Sequence, residues 1–223
     1  MNVVLKKVRT SLIQAGQIFV INDLTWGGYR RIGDTIRDRP AFRLTYDDGT
    51  LEIMTTSYEH EDVKYLLGRI IDTIVEEARM PIKPGGSMTF QREDLEKGLE
   101  PDQCYYSQNA SAIAGKKSID LAIDPPPDLC IEVDVANRSI DRLSIYAKMK
   151  MPEVWRWELG KIIVYSLQKS GLYKKGTTSN RFIKGLNVAE VATFVRKGIR
   201  KDQVVMVRSF RRYFRSWLAG KKR

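Results

Sequence analysis

The chain has 223 residues, a length that fits one domain, and its composition is 43% hydrophobic and 29% charged. This balance excludes a wholly disordered chain, a collagen and a small protein held together by disulfides. No apolar stretch approaches the roughly 18–20 residues that cross a membrane, and residues 1–7 lack the pattern of a signal peptide. We therefore expect a cytoplasmic protein with no membrane partner.

The basic charge is concentrated at the C-terminus. The formal net charge is +11, from 38 Lys and Arg against 27 Asp and Glu. Residues 196–223 contain 11 basic side chains and one acid, which leaves 27 basic and 26 acidic side chains in residues 1–195. A clustered basic surface is expected of a protein that binds the phosphate backbone of nucleic acid. A solvated helix face explains the same charge equally well.

The residue types that are present limit the chemistry. Cys104 and Cys130 form no CxxC pair, so we expect buried, reduced thiols rather than a zinc site. His60 is the only histidine, which excludes sites built on several histidine ligands. The sequence has no nucleophile elbow, phosphate loop or dinucleotide-binding glycine motif, so we expect no organic cofactor. An enzyme of this composition takes its acids and metal ligands mostly from carboxylates.

The first half of the chain predicts a hairpin followed by a long helix. Residues 42–46 and 50–54 alternate apolar and polar side chains on either side of a turn, which is the pattern of a β-hairpin. Residues 58–79 carry apolar side chains at helical spacing, with His60 at the N-terminal end of the apolar stripe. The other predictions in this half are a strand at residues 3–5 and a Gly-, Arg- and Asp-rich loop at residues 26–40.

The second half predicts further strands and helices. In chain order these are strands at residues 87–91, 102–106 and 128–135, a helix at 139–150, strands at 154–157 and 162–167, and helices at 187–197 and 203–218. This order predicts an α/β fold in which a central mixed sheet is flanked by helices. We expect residues 1–200 to form the domain, with its core at about 40–167. Residues 201–223 are expected to form a basic amphipathic helix and tail, packed on the domain or appended to it.

The helix predicted at residues 203–218 separates apolar from basic side chains. Its apolar stripe consists of Val207, Phe210, Phe214, Trp217 and Leu218. The basic residues that lie mainly off this stripe are Arg208, Arg211, Arg212 and Arg215. We expect the aromatic stripe to pack on the core. The four arginines are the candidate contacts to a nucleic-acid backbone.

Three acidic side chains form the most specific chemical pattern in the chain. Side chains alternate along a strand, so Glu132 and Asp134 project from one face about 7 Å apart. If their strand pairs with the strand that carries Asp102, three carboxylates converge. Their mutual repulsion is offset by a hard divalent cation such as Mg²⁺ or Mn²⁺, which supplies the chemistry of phosphodiester hydrolysis. Solvated acids at strand ends are the alternative interpretation.

The order of these residues resembles the PD-(D/E)XK nuclease superfamily. Pro101-Asp102 is followed thirty residues later by Glu132-Val133-Asp134. The wider pattern resembles the Uma-two-type family of restriction-endonuclease-like proteins over roughly residues 40–167. The matching parts are His60, Glu100-Pro101-Asp102, residues 127–133, Ile145-Tyr146-Ala147 and residues 151–155.

The resemblance implies a restriction-endonuclease-like fold and a role for each matching residue. Asp102 matches the first metal-binding acid and Glu132 the second. The lysine of the motif is replaced by Asp134, and a lysine that many relatives carry in the next helix is replaced by Arg142. An arginine stays protonated and is a poor general base, although it can stabilise charge on phosphorus. His60 is expected to position water or phosphate, or to be a structural histidine.

Three hypotheses for function follow. The first is an endonuclease that uses Mg²⁺ or Mn²⁺ to hydrolyse DNA, with the C-terminal arginines on the phosphate backbone. The second is a catalytically inactive nucleic-acid-binding module of the same fold. The third is a protein-interaction domain in which the aromatic stripe docks a partner or a second copy. A homodimer fits the first hypothesis, because two related sites cut both strands of a duplex most simply.

Overall fold

The protein folds around two β-sheets and five α-helices, as a computed structural model describes for residues 15–36, 41–134 and 139–221. In chain order the elements are β1 (Ile18–Ile21), α1 (Trp26–Ile36), β2 (Phe42–Asp47), β3 (Thr50–Thr55), α2 (Tyr58–Ala78), β4 (Lys83–Gly86), β5 (Phe90–Arg92), a 3-10 turn (Glu93–Leu95), β6 (Lys97–Leu99), β7 (Gln103–Tyr106), β8 (Leu129–Asp134), α3 (Arg142–Lys148), β9 (Glu153–Glu158), β10 (Lys161–Leu167), β11 (Tyr173–Gly176), α4 (Val188–Arg200) and α5 (Gln203–Lys221). The predicted fold class is confirmed.

The larger sheet has six strands in the order β11-β10-β9-β8-β7-β4. β8 and β9 are parallel and the other neighbours are antiparallel, so the sheet is mixed. Leu129, Ile131 and Val133 point from one face of β8 into a core that α2, α4 and α5 share. Burial of this face therefore sets the register of β8, and alternation sends the polar residues of the strand to the opposite face.

The opposite face of β8 packs against α3. Cys104 of β7 lies directly opposite Cys130 of β8, and both thiols are buried and free among apolar side chains that include Ile145 and Tyr146. Burial raises the pKa of the Cys104 thiol to about 12. The expectation of buried, reduced thiols is confirmed. Asp102 and Glu132 also project from this face, so these two acidic side chains are embedded in an apolar layer.

The smaller sheet has five antiparallel strands in the order β1-β3-β2-β6-β5 and is covered by α1. The buried ring of Tyr29 from α1 stacks on Tyr46 of β2, with centroids 4.8 Å apart. Gly98 of β6 permits this contact, because a Cβ there would overlap the Tyr29 hydroxyl. The helix and the sheet are thus joined by an aromatic cluster.

Most predicted elements are confirmed, with boundaries that shift by a few residues. The hairpin, the long helix, the helix after β8 and the two C-terminal helices form where the patterns place them. The loop predicted at residues 26–40 is wrong over 26–36, which form α1, because Trp26, Tyr29 and Ile36 pack on the smaller sheet. The strand predicted at residues 3–5 lies outside the described residues, as do residues 37–40.

α5 is packed on the body of the protein. Its residues Met206, Val207, Phe210 and Phe214 are buried in the same core as α2 and α4, as expected for the aromatic stripe. The aromatic stripe, which the third hypothesis assigns to a partner or a second copy, is therefore covered by other parts of the same chain. Among the helices of the described ranges, none combines the length and the apolar character that crossing a membrane requires.

Candidate active site

Asp102, the residue immediately before β7, and Glu132 of β8 occupy neighbouring positions. Gln103 lies opposite Ile131, so the residue before Gln103 and the residue after Ile131 project from the same face. Both carboxylates are buried, with exposures of 1% for Asp102 and 3% for Glu132. Asp102 is fixed by the backbone of β8, because its Oδ2 accepts a hydrogen bond of 2.7 Å from the Val133 amide. The predicted pairing of the two strands therefore brings these two acids together.

His60 reaches Asp102 from the first turn of α2. Ser57 caps this helix, and its Oγ accepts a hydrogen bond from the His60 amide at 3.2 Å, which fixes the start of the helix. The buried imidazole lies between two carboxylates. Its Nε2 is 3.0 Å from Asp102 Oδ1, and its Nδ1 is 3.2 Å from Glu61 Oε1. Each ring nitrogen therefore faces a carboxylate oxygen.

Arg142, the first residue of α3, neutralises Glu132. Its Nη2 donates to Glu132 Oε1 and to the carbonyl oxygen of Glu100, each at 2.7 Å, and its Nη1 donates to Thr45 Oγ1 at 2.5 Å. Burial by itself would lower the pKa of Arg142, but the charge of Glu132 raises that pKa above its ordinary value. The guanidinium is therefore a fixed cation that ties α3 to both sheets.

Tyr146 lies one helical turn beyond Arg142, and its hydroxyl donates to the same oxygen of Glu132. Burial and the adjacent charge of Glu132 raise the pKa of Tyr146 well above its ordinary value, so the hydroxyl keeps its proton and acts as a donor. Glu132 is thus held from one helix by a cation and by a neutral donor. Such a doubly hydrogen-bonded carboxylate is fixed in one orientation.

Glu52 of β3 fixes the segment that leads into α3. Its Oε2 accepts hydrogen bonds from the Ser139 amide at 2.8 Å and from the Ser139 hydroxyl at 2.7 Å. Asp141 then caps α3 by accepting from the Leu143 amide. The smaller sheet therefore holds the start of the helix that supplies the arginine of the site.

Residues 27–192 match the model of the Uma2 family, described as "Putative restriction endonuclease". The chain belongs to the Uma2 family. The resemblance inferred from the motifs is therefore confirmed. A solved structure that matches is "Crystal structure of a putative nuclease belonging to DUF820 from Anabaena variabilis ATCC 29413", with 14% sequence identity and a TM-score of 0.44, covering 66% of this chain and 84% of that chain. No curated protein is similar enough to count as a match.

Of the three acids expected to converge in this Uma2 chain, two are neighbours. Asp134 ends β8 two residues beyond Glu132, where it lies opposite Glu158 of β9. Within residues 15–36, 41–134 and 139–221, no group of three or more His, Cys, Asp or Glu side chains is placed to hold one ion. The expected three-carboxylate cluster is therefore wrong for this part of the chain, and Asp102 and Glu132 remain as a pair.

The donor chemistry of this pair fits a hard divalent cation. Carboxylate oxygens on one face of neighbouring strands are ligands that Mg²⁺ and Mn²⁺ prefer. His60 Nε2 is buried and faces Asp102, but in the described structure it lacks the alignment of a hydrogen bond. A water or an ion at this place would satisfy that polar atom. Because Arg142 already neutralises Glu132, an ion held there would share the carboxylate with the guanidinium.

Two of the four candidate DNA-contacting arginines of α5 are engaged in ion pairs with α2. Arg211 contacts Glu76 and Glu77, and Arg215 makes two hydrogen bonds to Glu77, at 2.6 and 2.9 Å. Glu77 lies in the last turn of α2, about 25 Å along the helix from His60 at 1.5 Å per residue. These arginines therefore fasten α5 to the far end of α2.

The other two candidate arginines, Arg208 and Arg212, are exposed on α5. They lie within one helical turn of Arg211, whose partners Glu76 and Glu77 are in the last turn of α2. The structure therefore does not bring the four arginines together with the Asp102 site. A nucleic acid that contacts both the α5 arginines and the Asp102 site must extend across the layer formed by the helices.

Several residues of the site were missed by sequence reasoning. Thr45, Glu52 and the carbonyl group of Glu100 reach Arg142 or its helix from elements that are remote in sequence. The role of Tyr146 was open to prediction, because a residue four positions after Arg142 on a helix faces the same side. No local sequence pattern predicted the contacts that Thr45 and Glu52 of the smaller sheet make with Arg142 and the start of its helix.

Proposed function

We propose that this Uma2 protein is a nuclease that hydrolyses phosphodiester bonds in DNA and uses Mg²⁺ or Mn²⁺ held by Asp102 and Glu132. The observation that carries the proposal is the buried pair of carboxylates just before β7 and on β8, flanked by His60 and Arg142, within the segment that matches the family. A bound divalent ion supplies Lewis-acid chemistry, which polarises a phosphoryl oxygen and acidifies a bound water.

The side chains of the protein hold and orient this site. Arg142 and Tyr146 fix the Glu132 carboxylate, and the Val133 amide fixes that of Asp102. Because Arg142 stays protonated, it stabilises negative charge at phosphorus and does not accept a proton. His60 lies between Asp102 and Glu61, with its Nε2 facing the Asp102 carboxylate.

A second candidate function is an inactive nucleic-acid-binding module. The observation that favours it is the replacement of both family lysine positions, by Asp134 and by Arg142, together with the buried ion pair between Arg142 and Glu132. In this case the protein would bind DNA in a salt-sensitive manner, with no metal requirement and no cleavage.

Nicking of supercoiled plasmid at low salt distinguishes the two functions. We expect nicking in Mg²⁺ or Mn²⁺, loss of nicking in EDTA, and at least about a hundredfold loss in Asp102→Asn, because the variant lacks one ligand charge. Glu190→Gln, an exposed carboxylate on the remote helix α4, is the matched control and should nick normally.

A direct Mn²⁺ titration by calorimetry makes the result independent of cleavage. Wild-type protein and Glu190→Gln should bind the ion, and Asp102→Asn should bind it weakly. Nicking that persists in EDTA or in Asp102→Asn would overturn the proposed site. Salt-sensitive DNA binding without nicking in any protein would favour the inactive module.

We also propose that the active form is a homodimer, because two related sites cut both strands of a duplex. Sedimentation velocity over a range of concentrations should then give twice the monomer mass of 25.6 kDa. Double-strand breaks that accumulate from a purely monomeric protein would contradict this assembly.

A further inference from the structure

A polar pocket of about 420 Å³ lies between α1 and the smaller sheet, and its lining includes Glu100, two residues before Asp102. Its walls include Arg30, Asp34, Phe42, Thr89, Gln91 and Glu100. This volume is within the range of pockets that hold small organic groups, roughly 300–1,000 Å³. We refer to it as the α1 pocket. The proposed nuclease function leaves it without a role.

The α1 pocket and the candidate active site share two residues. Glu100 lines the pocket, and its backbone carbonyl accepts a hydrogen bond from Arg142 of the site. Arg43 also lines the pocket, and its Nη2 is 4.0 Å from Glu61, the carboxylate that contacts His60. A group bound in the pocket would therefore be adjacent to whatever occupies the site.

The charges of the lining favour a neutral ligand over a phosphate. Among the lining residues that the structure describes, two cations, Arg30 and Arg43, balance two carboxylates, Asp34 and Glu100. A phosphate site is expected to be dominated by cations and amide donors. The neighbouring cavity, which shares Arg30 with this pocket, has three carboxylates against two arginines in its lining. A phosphate backbone is therefore not expected on this side of the site.

The uncharged lining groups match the chemistry of a nucleobase. Phe42 offers an aromatic wall, which suits stacking against a heteroaromatic ring. Gln91 and Thr89 supply hydrogen-bonding groups, and the Glu100 carboxylate is an acceptor, which already receives the Thr89 hydroxyl at 2.9 Å. Carboxylates accept from exocyclic amino groups such as N4 of cytosine, and thymine has no such group.

We propose that the α1 pocket binds a nucleobase of the nucleic-acid strand, preferring bases with an exocyclic amino group. The proposal rests on the proposed nuclease function for the identity of the ligand. The base would be unstacked, from a single strand or turned out of a duplex, and the adjoining phosphodiester would lie at Asp102 and Glu132. The pocket would thereby give the nuclease a preference for the base next to the cut.

Binding of labelled single-stranded deoxycytidine and thymidine homopolymers of equal length tests this proposal by fluorescence anisotropy. The titrations are carried out in EDTA, so that cleavage does not interfere. The two pyrimidine strands differ at the position that a carboxylate reads. We expect deoxycytidine strands to bind about fivefold to tenfold more tightly than thymidine strands. Equal affinities would overturn the proposal.

Gly33→Leu blocks the pocket, and Gly27→Leu is its matched control. Gly33 lines the pocket on α1, and a Cβ there meets only Leu44 Cδ1, at 3.7 Å. Gly27 lies on the same helix and faces open space. The base preference should disappear in Gly33→Leu and persist in Gly27→Leu. Gln91→Leu, which keeps the shape of the wall, should also reduce the preference. A preference that survives in both pocket variants would overturn the assignment.

Two further experiments distinguish base binding in the pocket from binding of a free nucleoside and from the nuclease activity. Deoxycytidine alone is titrated by competition, and binding as tight as that of the strand would overturn assignment of the pocket to a nucleic-acid strand and leave a free nucleoside as the ligand. Plasmid nicking in Mg²⁺ by the same proteins reports separately on the nuclease. Base preference without nicking overturns only the proposed nuclease function. Nicking without base preference overturns only the proposed binding of a base in the α1 pocket.

Discussion

Two of the arginine–glutamate contacts of the protein are nearly equal in length but lie in very different surroundings. Arg142 Nη2 is 2.7 Å from Glu132, and the two side chains are 3% and 4% exposed. Arg211 Nη2 is 2.8 Å from Glu76, and these side chains are 32% and 59% exposed. The first contact holds the candidate active site, and the second fastens α5 to α2.

The comparison shows that distance alone does not determine what an ion pair contributes. In the buried pair, removal of one partner leaves an uncompensated charge out of water, which is strongly destabilising. In the exposed pair, water and salt replace most of the lost interaction. The four predictions below test this difference, beginning with the largest effect.

Replacing Arg142 should be the most damaging change. We expect Arg142→Met to lose about 3–5 kcal/mol of unfolding free energy, because Glu132 stays buried without its cation. Urea denaturation measures the loss. Arg142→Lys keeps the charge and should recover part of the stability. The double variant Arg142→Met with Glu132→Met should be more stable than Arg142→Met alone, and a double variant that is worse would break the comparison.

Replacing His60 should have an intermediate effect. His60→Leu removes the imidazole from between Asp102 and Glu61, which leaves a buried carboxylate with fewer polar neighbours. We expect a loss of about 1–3 kcal/mol in thermal or urea unfolding and reduced nicking. Glu59→Gln, an exposed neighbour on the same turn, is the control and should change neither. Normal stability and nicking in His60→Leu would show that the histidine is dispensable.

Glu77 should make stability depend on pH in the acidic range. Hydrogen bonds from Arg215 and Arg211 lower its pKa from 4.5 to about 2. Its contribution is therefore fully present above pH 4.5 and is lost as the pH falls through about 2. With partners that are 32% and 63% exposed, we expect Glu77→Gln to cost no more than about 1 kcal/mol at pH 7. The cost should vanish near pH 2, and a constant difference would contradict the assigned pairing.

The exposed arginines of α5 should affect binding and leave stability unchanged. We expect Arg208→Gln and Arg212→Gln to unfold as the wild type does, within about 0.5 kcal/mol. If these residues contact phosphates, each variant should lower the slope of log affinity for DNA against log salt by about one unit. An unchanged slope in both variants would remove α5 from the nucleic-acid interface.

Local patterns predicted much of the fold. The alternation of residues 42–46 and 50–54 and the helical spacing of residues 58–79 identified β2, β3 and α2, because each periodicity is set by the geometry of one element. β4 was missed, since Lys-Pro-Gly-Gly has little intrinsic strand preference and is held by its pairing with β7. The edge strand β1 was also missed, although its β-branched and aromatic residues favour a strand.

The sequence by itself determined the family, the two acids on neighbouring strands and the arginine four residues before the motif tyrosine. Order and spacing along one strand or helix are enough for these, because side-chain direction follows from local geometry. Only the tertiary structure decided that Arg142 neutralises Glu132, that His60 lies between two carboxylates, and that Arg211 and Arg215 face α2. Those contacts join segments remote in sequence, and the packing of the two sheets and the helices sets them.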